Sequence, residues 1–500
     1  MAKYASGAET IKNFIVRPEG GVMRRHGTRF VHPLRDVSEK GRLIPFQYST
    51  IQGYMTVWND SKLRFIKDRA VLTLTGQTIT NISQAATAVV TYSGADTYTA
   101  GDKVTITGVV GMTQVNNREF TVGTVDTGAN TFQLSGVNST GYTAYSSGGT
   151  VSEIYEIDSP YSETNVPDLQ YAQSADYMWL AHASYAPRNL TRSAHTSWTL
   201  SEIDYAKGPF GPLNAVVSQQ VRIQTTNYQE GSSVTIYANA DIFTADHVGG
   251  LFYMEEMLFD QLAVSAWESN EPAGVVNTQQ VSSNGKVYLL VGAGAGANTG
   301  SIAPSHTQGD ATDGLSTGAN KKWRYLHSRY CVFEITAYTS AKQVTATALN
   351  YIPNGFNQSS VAIGGAVDNG SGLIRITTSA AHGYDDGDYV FIAGVAGTTE
   401  ANGYWPIRWV STTEFDLVGS TFTNTYSAGS DTARRFSTWL WRFGAFSTER
   451  GNPVAVSLHE QRLFYANPEA QPFGLWGSRV ADYIHFLPGP DADDSVAYNI

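Results

Sequence analysis

The residues that could do chemistry do not assemble into a reactive set. The ten histidines show neither an HExxH pattern nor a paired-ligand spacing. His459-Glu460 reads as a turn between strands, with no nucleophile beside it to activate. No Gly-x-Ser-x-Gly elbow lies between a strand and a helix. The Gly-rich run Gly292–Gly300 lacks the Lys-Ser/Thr of a phosphate loop and reads as a loop. Gly309-Asp310-Ala311-Thr312-Asp313-Gly314 offers two carboxylates without the closing Glu of a calcium loop, so a plain turn is expected. Asp491, Asp493 and Asp494 follow Pro488-Gly489-Pro490 and read as a solvated acidic turn. Cys331 is the single cysteine, which excludes an intrachain disulfide and a thiolate zinc site. Its strand-like setting, Tyr330-Cys331-Val332-Phe333, predicts a buried, inert thiol. Neither a catalytic residue nor a cofactor nor a metal site is expected, although a glycosidase-type carboxylate pair leaves little local trace.

One segment is basic. Arg17, Arg24, Arg25, His26 and Arg29, with Arg35 further on, surround a turn at Pro18-Glu19-Gly20-Gly21 and precede Phe30-Val31, which reads as the restart of a strand. Arg17, Arg24, Arg25 and Arg29 are candidate subunit contacts to an acidic neighbour; an exposed loop balancing an acidic body is the plainer alternative. The formal charge of −11 argues against a protein that grips nucleic acid. It leaves room for a wall past which DNA slides.

The elements that must position these residues are strands. Charged residues are only 15% of the chain, and 48 Gly with abundant Ser, Thr and aromatics favour short strands and many turns. No amphipathic helix stands out; the nearest candidate surrounds Glu255-Glu256-Met257-Leu258-Phe259. The opening Met1-Ala2-Lys3-Tyr4 is not followed by the apolar core of a signal peptide, and no run reaches the length of a membrane span. Synthesis in a cytoplasm, with no membrane insertion, is the expectation.

An internal repeat organises the chain. Gly101-Asp102, Val104, Ile106, Gly108-Val109, Gly111, Thr113 and Asn116 match Gly387-Asp388, Val390, Ile392, Gly394-Val395, Gly397, Thr399 and Asn402. After a three-residue contraction, Phe132 and Leu134 match Phe415 and Leu417. The copies then run on into similar tails, Tyr142–Ser146 against Thr425–Gly429. Each copy predicts a small antiparallel β-barrel or sandwich inserted into a host fold. Outside the copies, residues 42–67, 169–203 and 454–486 each read as a short β-meander, the period of a propeller blade. The predicted fold is all-β: a β-propeller-like body with two inserted modules. Its parts are 1–75 (N-terminal segment and first blade), 76–153 (first module), 154–214 (blade), 215–355 (central β domain), 356–435 (second module) and 436–500 (blade). The closing Ala497-Tyr498-Asn499-Ile500 reads as the start of another strand, so a continuation is expected.

The stretch Asn13–Val31, with Leu43–Ser49, Asp168–Asp176, Pro187–Arg192, His459–Leu463 and Trp476–Arg479, resembles the tail nozzle proteins of podoviruses, also called tail tubular protein B. The repeated modules resemble the FCCH region of ubiquitin-activating enzyme, as a shared small β-fold seen in phage proteins. The nozzle resemblance implies a propeller-bearing, non-enzymatic subunit of the virion tail. Six such subunits would form a ring below the portal and adaptor, extend and gate the DNA ejection channel, and anchor fibres or spikes. DNA would pass without sequence-specific binding. A receptor- or glycan-binding tail protein, using Tyr142, Tyr145, Trp405 and Trp409, is the alternative, and a tail-associated depolymerase a third.

Overall fold

Side-chain alternation builds the strands. In Lys103–Val110 the pattern buries Val104, Ile106 and Val109, and in Tyr389–Ala393 it buries Val390 and Ile392. Successive side chains on a strand point to opposite faces, so each of these strands offers one apolar face. Burying each Val, Ile or Phe contributes about 1.5–3 kcal/mol relative to leaving it in water.

The computed structural model describes residues 10–499 apart from 18–19, 50–51, 95–97, 206, 256–264, 293, 295–297, 308, 315–319, 354–355, 357–359, 385, 437 and 488–491. The helix considered at Glu255–Phe259 lies outside the described residues, except that Glu255 ends the strand Leu251–Glu255. Two compact units divide the chain. One comprises Met1–Asp168, Gln173–Met178 and Leu190–Leu200; the other comprises Leu169–Ala172, Trp179–Asn189 and Ser201–Ile500. The strands Gln170–Ser174, Tyr177–His182, Tyr185–Ala194 and Ser197–Glu202 form a four-stranded sheet in chain order that contributes residues to both.

In the first unit, Phe14–Val16 pairs antiparallel with Val22–Arg24 as a hairpin. A five-stranded sheet runs in the order Glu156–Asp158, Lys62–Lys67, Gly53–Asn59 and Arg42–Gln47, with Ala70–Val71 beside Lys62–Lys67. Trp198 stacks on Phe65 at 4.3 Å and meets Phe46 edge-on at 4.7 Å. The first repeat closes into a six-stranded barrel in the order Arg118–Asp126, Thr131–Leu134, Val89–Ser93, Gln77–Ile82, Ser147–Glu153 and Lys103–Val110.

In the second unit, the second repeat closes in the same order, strand for strand: Gly403–Ser411, Glu414–Leu417, Ile374–Thr378, Val361–Asp368, Thr432–Arg435 and Tyr389–Ala393. Of the two forms expected for the modules, the barrel is the one adopted. The tails need a correction of register. Gly111 faces Ala144 and Ser146, whereas Gly397 faces Thr425 and Ser427, so Tyr145 corresponds to Tyr426 and Ser146 to Ser427. A run of Gly, Ser, Thr and Tyr has too little pattern to fix that offset.

The same unit holds a six-stranded sheet in the order Val221–Gln224, Ser233–Ala238, Gln343–Ala348, Tyr330–Ser340, Leu251–Glu255 and Trp441–Phe443. Two four-stranded sheets accompany it, one from residues 280–327 and one from 455–499. The all-β expectation holds, but a propeller is not shown. The blade-like runs do make four- and five-stranded sheets. Propellers repeat like blades around one axis, and the six-stranded sheet, which recruits Trp441–Phe443 beside Leu251–Glu255, interrupts that series.

Candidate interaction surfaces

Among the described residues the basic segment is an exposed arm. Gly20, at φ +94°, and the bonds Arg17 N–H to Gly21 O (2.7 Å) and Gly20 N–H to Arg17 O (3.0 Å) close the hairpin turn. Ile11, Phe14, Ile15, Val16 and Val22 are all exposed, as are Arg17, Arg24, Arg25 and Arg29. Phe30 and Val31 do not restart a strand. They lie outside any strand, and Phe30 is 77% exposed. One hairpin, with no second layer over it among the described residues, cannot bury both faces, which is why its apolar side chains stay in water.

Arg35 separates from that cluster. It pairs with Asp60 and, through Nε at 2.9 Å, with Glu156. Glu156 also accepts from Arg64 Nε at 3.0 Å, and the Arg64 guanidinium donates both terminal nitrogens to Glu119 at 3.0 Å. Arg64 is 3% exposed, so this is a buried network rather than a surface patch. Burial pushes the neighbouring His32 imidazole below its usual range despite Glu119 at 3.4 Å.

Asp36, Glu39 and Asp60 place carboxylate oxygens within 4.8 Å of one another. Their separation in sequence hid this grouping. Asp60 is paired with Arg35, and Asp36 accepts from Ser38 N–H and Oγ. Turn geometry and one arginine account for the trio, and nothing else at the site points to an ion. The two carboxylates of 309–314 are likewise engaged: Asp310 with Arg324 at 2.8 Å, and buried Asp313 with Trp323 Nε1 at 2.9 Å. Asp491 lies outside the described residues, and Asp493 pairs with Arg479 at 3.4 Å.

A cleft of about 580 Å³ opens within the second unit. Its walls carry Glu202, Asp204 and Glu334, and its apolar lining includes Val248, Leu251 and Phe446. Glu202 pairs with Arg188, while among the described residues no cation lies within salt-bridge distance of Asp204 or Glu334. Sequence could not reveal the cleft, because it joins residues from 184 to 452. A groove of about 710 Å³ in the first unit has the opposite rim. Leu43, Met55 and Ile66 line it, together with Arg29, Lys67 and Arg69.

The four aromatics considered for sugar stacking divide. Tyr142 and Tyr145 pack against the first barrel core, and Tyr145 Oη donates to Ile79 O at 3.0 Å. Trp405 packs against the second core and donates Nε1 to Ala401 O at 2.8 Å. Trp409 is 47% exposed and is the one of the four that offers an open ring. Arg375, Asp416 and Arg408 align across three neighbouring strands of that barrel, with Asp416 fully buried between two guanidiniums. Cys331 is buried and burial raises its thiol well above the usual range, as its strand setting predicts.

Comparison with known proteins adds little beyond one module. The family model for the FCCH domain of ubiquitin-activating enzyme E1 matches residues 85–154, most of the first barrel. Among solved structures, the phage phi92 endosialidase is similar over 92% of this chain and 57% of its own, at 11% identity and a TM-score of 0.14. The chain thus spans little more than half of that protein, and so low a score carries no argument. No curated protein sequence matches. Among the described residues, no helix is long and apolar enough to cross a membrane.

Proposed function

We propose that this chain is a non-catalytic structural component of a phage tail that works as an assembly subunit. The observation that carries the reading is the N-terminal arm, whose exposed Phe14, Val16, Val22 and Phe30 alternate with exposed arginines. Apolar side chains left in water at this density mark a surface meant to be covered. The FCCH match on the first barrel, a module seen in phage proteins, and the resemblance of several sequence motifs to podovirus nozzle proteins support the phage-tail part. In its specific form the reading is a ring, hexameric by the nozzle resemblance, that extends and gates the DNA ejection channel and docks on an adaptor. Rigid sheets and barrels would hold the ring, and loops would make its constriction. Electron microscopy of intact virions, with an antibody to this chain, tests it. Label on a ring below the portal supports the nozzle form. Label confined to fibres or spikes overturns that form, and label off the tail overturns the whole reading.

A receptor- or glycan-binding tail protein is the second reading. On the molecule, what favours it is the open ring of Trp409 on the second barrel. An indole face suits stacking on a sugar ring. Glycan-array binding lost in Trp409→Ala would promote this reading.

A further inference from the structure

We propose that the N-terminal arm of one copy docks in the acidic cleft of a second copy of this chain. The proposal rests on the reading of the chain as an assembly subunit and names the two surfaces that meet. Charge selects the occupant. Residues 1–31 hold six Lys or Arg and two Glu, a formal +4, within a chain of −11, so the rest carries −15. The arm is therefore a cationic strip that a body of this composition attracts.

The two candidate receiving surfaces separate on sign. The groove lined by Leu43, Met55 and Ile66 already carries the chain's own Arg29, Phe30 and Val31, and its Arg29, Lys67 and Arg69 would repel a second arm's Arg24 and Arg25. The cleft of the second unit presents Asp204 and Glu334, which have no salt-bridge partner among the described residues, over an apolar lining that includes Val248 and Phe446. An arm that alternates arginines with Val22 and Phe30 matches both features. Phe30 fills apolar space, and the guanidiniums reach the carboxylates at its mouth. A volume of about 580 Å³ lies within the ~300–1,000 Å³ of clefts that bind small ligands, room for a side chain such as Phe30. Such docking covers the apolar arm and neutralises the carboxylates in one step.

The test is charge exchange in the full chain, followed by sedimentation velocity over a range of concentration and salt. The wild type self-associates, more weakly as salt rises. Arg24→Glu with Arg25→Glu weakens association by about tenfold or more, as does Asp204→Lys with Glu334→Lys. All four changes together restore it. A bifunctional maleimide on Phe30→Cys, Val248→Cys then yields covalent dimers, the native Cys331 being buried. Unchanged association in both reversed variants, no restoration in the fourfold variant, or a link closed within one chain overturns the proposal. So does a wild type that stays monomeric throughout. Because antibody labelling of virions is independent of these readouts, a monomer still found in the tail sinks arm docking and leaves the tail reading standing.

Discussion

The two barrels share every strand pairing but are tied to their surroundings by different forces. At one position on the second strand of the repeat's common core, the first barrel has Glu119 opposite Thr105 and the second has Tyr404 opposite Phe391. Glu119 holds the buried guanidinium of Arg64 at 3.0 Å, so the first barrel is anchored to the five-stranded sheet through ions. Tyr404, packed on Phe391 at 4.8 Å and Phe436 at 5.3 Å, points its hydroxyl at Ala238 O and carries Lys342 Nζ over its ring at 5.4 Å, so the second meets the six-stranded sheet through an aromatic side chain. The barrel itself is a closed, self-sufficient core, and closure removes the edges through which it would otherwise pair. Attachment can then vary independently of the core.

What the copies keep is a backbone device. Gly111 and Gly397 take φ of +89° and +74°, and a Cβ there would lie 2.2 Å from Ala144 O and 2.1 Å from Thr425 O. Alanine at either site combines left-handed strain with a backbone clash, and each substitution costs on the order of 3 kcal/mol or more. Equal losses in urea unfolding would establish that the glycines serve one role in both copies. A harmless substitution in one barrel alone would break the equivalence.

The anchors should fail differently. Glu119→Ala leaves Arg64 with Glu156 alone and costs about 3 kcal/mol, near the lower end for breaking a buried pair. Tyr404→Ala, at a half-buried ring, costs about 1–2 kcal/mol. Added salt should change the Tyr404→Ala deficit little, through the exposed Lys342 over the ring alone. Differential scanning calorimetry at two ionic strengths distinguishes the two anchors.

The repeat was legible in sequence because its signals are local. Gly-Asp, Val-x-Ile and the turn asparagines each act within a few residues, and both asparagines do the same work. Asn116 accepts from Val109 N–H and donates to Val109 O, both at 2.8 Å; Asn402 does so with Val395 at 3.0 and 2.9 Å. Asn116→Ala and Asn402→Ala should each cost about 2 kcal/mol, two hydrogen bonds apiece, with unequal losses separating the copies. The tail register was not legible, since the carbonyls facing Gly111 and Gly397 come from more than twenty-five residues away. Nor was the fate of the arginines. Arg35 looks like its neighbours in sequence, and only Glu156, far along the chain, takes it out of the exposed set. The six-stranded sheet and the acidic cleft were hidden for the same reason: each joins segments that carry no mark of one another.

The smallest expected effect separates the barrels by acid. Where the first barrel has Gln114 and Gln133, the second has Glu400 and Asp416, at corresponding places before and within matching strands. Burial works to raise both carboxyls. Hydrogen bonds to Asp416 from Arg375, Arg408 and Asn369 outweigh it and hold that group to about 2. The Thr423 and Asn424 N–H groups and the Asn424 amide do the same for Glu400. A carboxyl depressed on folding contributes stability that is present above its unfolded pKa and lost as pH falls towards the folded one. The second barrel should therefore loosen between the ordinary carboxylate range, about 4, and pH 2, while this pair of positions gives the first barrel no such dependence. Pepsin, active across that window, reads the two separately: cuts within 361–435 should rise faster with acid than cuts within 77–153. Asp416→Asn with Glu400→Gln should flatten the difference. Equal acid sensitivity of the two barrels in the unaltered chain would show that these carboxylates do not distinguish them.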